Sequence, residues 1–208
     1  KVESNGKSLD VTYQLPWLSH ATLEPMNATA HVQKDKAQLW VPCQNPASVQ
    51  AMAAKITGLE PNQITVQPVR MGGGYGRRFY ADFALQATVL SMKCKRPIQV
   101  IWSREEDMQH GFYRPSGFYR CRAQLDGTGN IQAWHQHLVN SSRGHYLKRQ
   151  PPPGEELKPG EIGKFDFPAG FIPNLLLEYT HYDSVVPRGQ WRAVEESSNV
   201  FVNMCFLD

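Results

Sequence analysis

The chain has 208 residues, 41% of them hydrophobic and 11% aromatic, enough apolar side chain to bury the core of one large domain or two small ones. Charged residues make up 20% and the formal net charge is +3, with Lys and Arg scattered among acids, which gives no sign of wholesale disorder and speaks against nucleic acid as a partner. Four cysteines without a CxxC pair carry no zinc or iron–sulfur signature, and no apolar run approaches the roughly 20 residues of a membrane span.

Residues 9–15 alternate apolar and polar, as a half-buried strand does. A hairpin follows, its strands NATAHVQ and AQLWVPC joined by a turn at Lys34-Asp35-Lys36. Asn45 before Pro46 marks the start of a helix with Val49, Met52, Ala53 and Ile56 on one face, and Gly58 closes it. Residues 63–69 read as a strand that runs into Met71-Gly72-Gly73-Gly74-Tyr75-Gly76-Arg77-Arg78. Phe83, Ala87, Leu90 and Cys94 then recur on one helical face.

Pro97 to Trp102 form a strand, and Arg104-Glu105-Glu106-Asp107 opens a turn or short helix. Strand-like stretches 117–125 and 130–139 flank the hairpin signal Asp126-Gly127-Thr128-Gly129. Residues 148–170, rich in Pro and Gly, read as a long surface loop. A strand near 176–186, a loop around Pro187-Arg188-Gly189 and a helix after Ser197 complete the pattern. The expected class is α+β with a mixed sheet, and Cys94, Cys121 and Cys205 are expected to be buried free thiols. The start at Lys1 and the stop at Asp208, within an apolar run, are expected of a segment cut from a longer chain.

The glycine loop is the strongest local signal. Three glycines, an aromatic residue and a fourth glycine lie between a strand and a helix, where backbone N–H groups can approach a ligand. Arg77 and Arg78 add charge beside the helix start, so an anionic group is the natural occupant. The spacing is neither a Walker A loop nor GxGxxG in register. By spacing alone, three readings stay open: a ligand cradle, a small phosphate- or nucleotide-binding module, or a structural interaction domain whose glycines merely pack.

Taken together, Leu39-Trp40-Val41-Pro42-Cys43-Gln44-Asn45 and Met71-Gly72-Gly73-Gly74-Tyr75-Gly76 resemble the xanthine dehydrogenase and aldehyde oxidase family. The two arginines after the loop and His20-Ala21-Thr22-Leu23-Glu24-Pro25-Met26-Asn27-Ala28-Thr29-Ala30 are closest to its isoquinoline oxidoreductase branch. Arg96-Pro97, Trp102-Ser103-Arg104-Glu105-Glu106-Asp107 and Pro187-Arg188-Gly189-Gln190-Trp191-Arg192 match in the same order, so the likeness runs from about residue 9 to 208.

The resemblance implies a piece of the molybdenum-binding large subunit, with residues 1–145 as a first molybdopterin-binding region and 146–208 as a loop and following segment. It implies molybdopterin with molybdenum as cofactor, in the cytosine dinucleotide form, and hydroxylation of an aldehyde or N-heterocycle with water as the oxygen source. Gln44 matches the glutamine whose amide donates to an oxygen ligand of molybdenum. Gly73, Gly74, Tyr75 and Gly76 match the loop that approaches the metal's ligands, with Tyr in place of the more usual Phe. Arg77 and Arg78 are expected either to pair with cofactor phosphate or to be solvated. Arg192 matches an arginine near the cofactor, although Ala193-Val194 departs from the family's Gly-Phe-Gly. No residue here ligates the metal directly or matches the catalytic glutamate, so the segment is expected to be inactive alone. Implied partners are the rest of the large subunit and a small subunit carrying [2Fe-2S] clusters. Export to the periplasm is implied only by analogy.

Other polar residues read as structural. His20 and Glu24 lack a third ligand nearby, and His135 and His137 share a sheet face with Ala133 and Ile131, with His145 set beside them as no more than a tempting neighbour. Glu105, Glu106 and Asp107 read as helix-start charges. Tyr113 and Trp191 read as packing residues.

Overall fold

A computed structural model describes residues 6–147, 161–162 and 170–208. Its elements in chain order are β1 (Ser8–Leu15), β2 (Leu18–Ser19), β3 (Asn27–Val32), β4 (Ala37–Val41), α1 (Pro46–Thr57), β5 (Ile64–Pro68), α2 (Asp82–Cys94), β6 (Ile98–Ile101), α3 (Arg104–His110), β7 (Tyr113–Arg114), β8 (Gly117–Leu125), β9 (Ile131–Asn140), α4 (Arg143–Tyr146), β10 (Asn174–His181) and α5 (Glu196–Leu207). Helices and mixed sheets together make the α+β class expected. Most of the loop expected at 148–170 lies outside the described residues. Among the described residues no helix is long and apolar enough to cross a membrane.

Two compact units divide the chain: Ser19–Phe112, and Lys1–Leu18 with Tyr113–Asp208. These compact units do not coincide with the regions 1–145 and 146–208 expected from the sequence. Backbone pairing explains why: β8 pairs with β1, and β9 pairs with β10, so strands from both sides of residue 145 share one sheet.

The Ser19–Phe112 unit carries the sheet β5-β4-β3-β6. β3 is antiparallel to β4 and to β6, while β4 and β5 are parallel and so need a crossover, which α1 supplies. Asn45 caps α1 by accepting from Ser48 N–H at 3.1 Å, Pro46 takes the first turn, and Gly58 ends it in the left-handed region. Alternation sends Ala28 and Ala30 of β3 and Leu39 and Val41 of β4 to one face, where Val49, Ala53, Phe83 and Ala87 cover them. The face expected for α2 holds for its first two turns and then slips: Leu90 and Cys94 are exposed, while Thr88 and Ser91 are buried. Polar ties replace apolar packing there, since Ser91 Oγ accepts from Val32 N–H at 2.9 Å and donates to Arg96 O at 2.8 Å.

The other unit carries the sheet β1-β8-β9-β10, antiparallel across the first three strands and parallel between β9 and β10. In the β8–β9 turn, Asp126 Oδ1 accepts from the N–H groups of Thr128 and Asn130, both at 2.9 Å. Tyr119, Cys121 and Ala123 alternate inward along β8. α5 lays Val202 and Phe206 on this core, with Phe206 edge-on to Trp134 at 4.8 Å between ring centroids. Cys205, off that inward face, is exposed rather than buried.

Candidate functional site

The loop between β5 and α2 owes its course to its glycines. Gly73 and Gly76 lie at φ 96° and 99°, where a Cβ is strained, and Tyr75 follows them into positive φ at 51°. The Tyr75 ring folds back over Gly73, so a Cβ there would meet it at 3.1 Å. Gly72 and Gly74 are small for another reason. A Cβ on Gly72 would stand 2.6 Å from Glu24 Cβ, and one on Gly74 would stand 2.7 Å from Gln44 Oε1. The missing side chains thus admit Glu24 and Gln44 against the loop.

Gln44 sits between β4 and α1, its backbone N–H donating to Arg78 O at 2.9 Å. Its side-chain Oε1 accepts from Gly76 N–H at 3.0 Å. A backbone N–H can only donate, so this bond fixes which end of the amide faces the loop. The exposed side chain then presents its NH2 group, a neutral double donor. The segments at 44 and 72–76 are therefore joined.

Arg77 and Arg78 differ from expectation: both are buried, at 1% and 0% exposure, and neither is solvated. Arg77 makes a bidentate pair with Asp82, at 2.9 and 2.7 Å, beneath Trp102 and Phe112. Arg78 Nε donates to Gly73 O at 2.7 Å, Nη1 to Pro42 O at 3.3 Å, and Nη2 to Glu24 O at 2.7 Å and Glu24 Oε2 at 3.0 Å. Their partners come from the chain itself, and Asp82 already supplies an acid in the first turn of α2. Through these contacts both arginines shape the loop from within the chain. Burial lowers the Arg78 pKa, with Glu24 opposing the shift.

Glu24 is the residue whose part in the site the sequence concealed. It accepts from Gly72 N–H at 2.6 Å and from Asn27 Nδ2 at 2.8 Å, besides Arg78. Burial raises its pKa, but the Gly72 N–H, Asn27 and the Arg78 charge outweigh burial and hold the carboxyl below its ordinary range. Arg104 braces the same turn by donating to the carbonyls of Thr22 and Leu23. The structural readings of His20 and the α3 acids hold: His20 Nδ1 bonds Phe112 O at 3.0 Å, and Ser103 and Glu106 form a capping box. His135 joins Arg122 and Glu178, and His137 joins Thr180, across the sheet. Arg192 is exposed and is followed by Ala193 and Val194 at φ 61° and 49°, left-handed positions held without glycine.

The family description "Molybdopterin cofactor-binding domain" matches residues 3–159. The chain is 31% identical over 125 residues to isoquinoline 1-oxidoreductase subunit beta of Brevundimonas diminuta, covering 60% of this chain and 15% of that relative. It is 28% identical over 131 residues to aldehyde oxidoreductase molybdenum-binding subunit PaoC of Escherichia coli, covering 62% of this chain and 18% of that relative. In fold it is similar to the aldehyde oxidoreductase of Desulfovibrio gigas, with a TM-score of 0.71 and 18% identity over 98% of this chain and 22% of that one. The chain thus spans less than a quarter of each of these three proteins.

Proposed function

The chain belongs to the molybdopterin cofactor-binding domain family, and on that premise we propose that Gln44 and the loop at 72–76 form one wall of a pocket for a molybdenum pterin. One observation carries this reading: the Gly76 N–H holds Gln44 Oε1, so the amide is pre-set to offer its NH2 outward. A neutral donor suits an oxygen-rich metal group because it binds oxygen without delivering a proton. The Cβ-free backbone beside it allows close approach of a flat, polar cofactor.

When bound, the metal–pterin would supply the redox chemistry for hydroxylating an aldehyde or N-heteroaromatic compound with water as the oxygen source. This chain's residues would position it. Arg78, Arg77 and Glu24 keep the loop rigid from behind, and Gly73, Gly74, Tyr75 and Gly76 offer backbone to the cofactor. Arg192 is taken from the resemblance alone as a further cofactor residue, and the pterin is taken to be the cytosine dinucleotide form. A small [2Fe-2S] subunit would receive the electrons, and the rest of the large subunit would complete the pocket and provide the general base. In the complete protein, Gln44→Ala is expected to cost no more than about 1 kcal/mol of stability, the worth of its bond to Gly76, and to leave molybdenum content unchanged while turnover falls on the order of 100-fold, as when one pre-organised donor is removed from an active site. Turnover at the wild-type rate would refute the role of Gln44.

A further inference from the structure

We propose that His145, His181 and Asp183 form a binding site for a divalent transition-metal ion of the zinc class. One ligand atom from each of the three lies within 4.8 Å of the other two. The imidazole centroids of His145 and His181 are 4.4 Å apart, their planes tilted by 43°. His181 closes β10, Asp183 follows two residues later, and His145 comes from α4 just after β9, so the site lies at the C-terminal ends of the parallel strands β9 and β10.

A second observation points to a ligand. His181 Nε2 is buried and has no hydrogen-bond partner. A buried imidazole nitrogen left in that state is costly, and coordination to a metal gives it a partner. Asp183 is held by its Oδ1, which accepts from Ser184 N–H at 2.8 Å and from Arg188 Nη2 at 3.2 Å, and its second carboxylate oxygen could serve an ion. The Arg188 charge works against a cation, but its guanidinium is held by the carbonyls of Ser142, Ser184 and Val186 and lies over the Tyr146 ring. Burial, together with His145 and Arg188, lowers the His181 pKa, which favours the neutral, ligating imidazole at neutral pH.

Two imidazoles and one carboxylate suit zinc, copper or nickel rather than calcium or magnesium, and three protein ligands leave a position for water. Tetrahedral ligands at about 2.0–2.1 Å from zinc stand about 3.3 Å apart, so no pair need close by more than about 1.5 Å. His145 and Asp183 are exposed, and side-chain rotation supplies that movement.

Titration of the full chain with Zn2+ tests the site. One zinc per chain is expected, with binding at least about 10-fold weaker in His145→Gln and in Asp183→Asn and unchanged in His137→Gln. Zinc should also raise the thermal midpoint of the unsubstituted chain and not that of the two site variants. Circular dichroism without zinc checks that these variants of exposed residues remain folded. Absence of zinc binding, undiminished binding in the site variants, or equal loss in His137→Gln would overturn the proposal.

Discussion

A guanidinium offers five N–H donors in a rigid fork, and Arg78 distributes its donors over Gly73, Pro42 and Glu24. The loop is thus held by one buried cation and one partly exposed carboxylate. Glu24 carries the pH dependence of that clamp. Its folded pKa lies below the ordinary 4.5, so its contribution is complete above about that pH and is lost as pH falls through the lowered folded value. The urea midpoint should therefore decline below about pH 4.5, and Glu24→Gln should flatten that decline; parallel profiles for the two proteins would contradict this. In the sequence, Gln44 stood out through a local motif, while the Gly76 N–H that holds it lies 32 residues away. The burial of Arg78 was not legible, since its partners at Glu24 and Pro42 lie 54 and 36 residues away. Arg77 finds Asp82 only five residues on, yet the aromatic roof over it comes from Trp102 and Phe112.

At the scale of elements, the glycine loop separates two kinds of small residue. At Gly74 an added Cβ meets the far end of a flexible glutamine, whereas at Gly72 it meets Glu24 next to its backbone. Gly74→Ala should push the Gln44 amide off Gly76 and lower stability by about 1 kcal/mol, the worth of one hydrogen bond. Gly72→Ala should cost about 2–3 kcal/mol through overpacking. Equilibrium denaturation of both variants checks the order, and equal losses would contradict it. Element ends with chemical punctuation were legible: Asn45, Pro46 and Gly58 bound α1 as expected. The second half of α2 was not, because Ser91 is buried by bonds to Val32 and Arg96 that no helical periodicity announces.

For the whole molecule, the chain leaves one unit, builds another from Ser19–Phe112, and returns to finish the first. Parallel pairing of β9 with β10 across a long connection is invisible to local pattern, so the compact units differ from the regions read along the sequence. Residues 19–112 hold a complete four-stranded sheet, both covering helices and the Gln44–glycine constellation. Expressed alone they should unfold cooperatively and give dispersed amide resonances, and a collapsed, disordered spectrum would contradict that. The central claim concerns where one amide points. In a structure of the complete protein with its pterin bound, Gln44 Nε2 should lie about 2.7–3.2 Å from a cofactor atom while Oε1 still accepts from Gly76. A Gln44 turned toward other protein groups, or a loop at 72–76 covered by polypeptide instead of cofactor, would contradict the account.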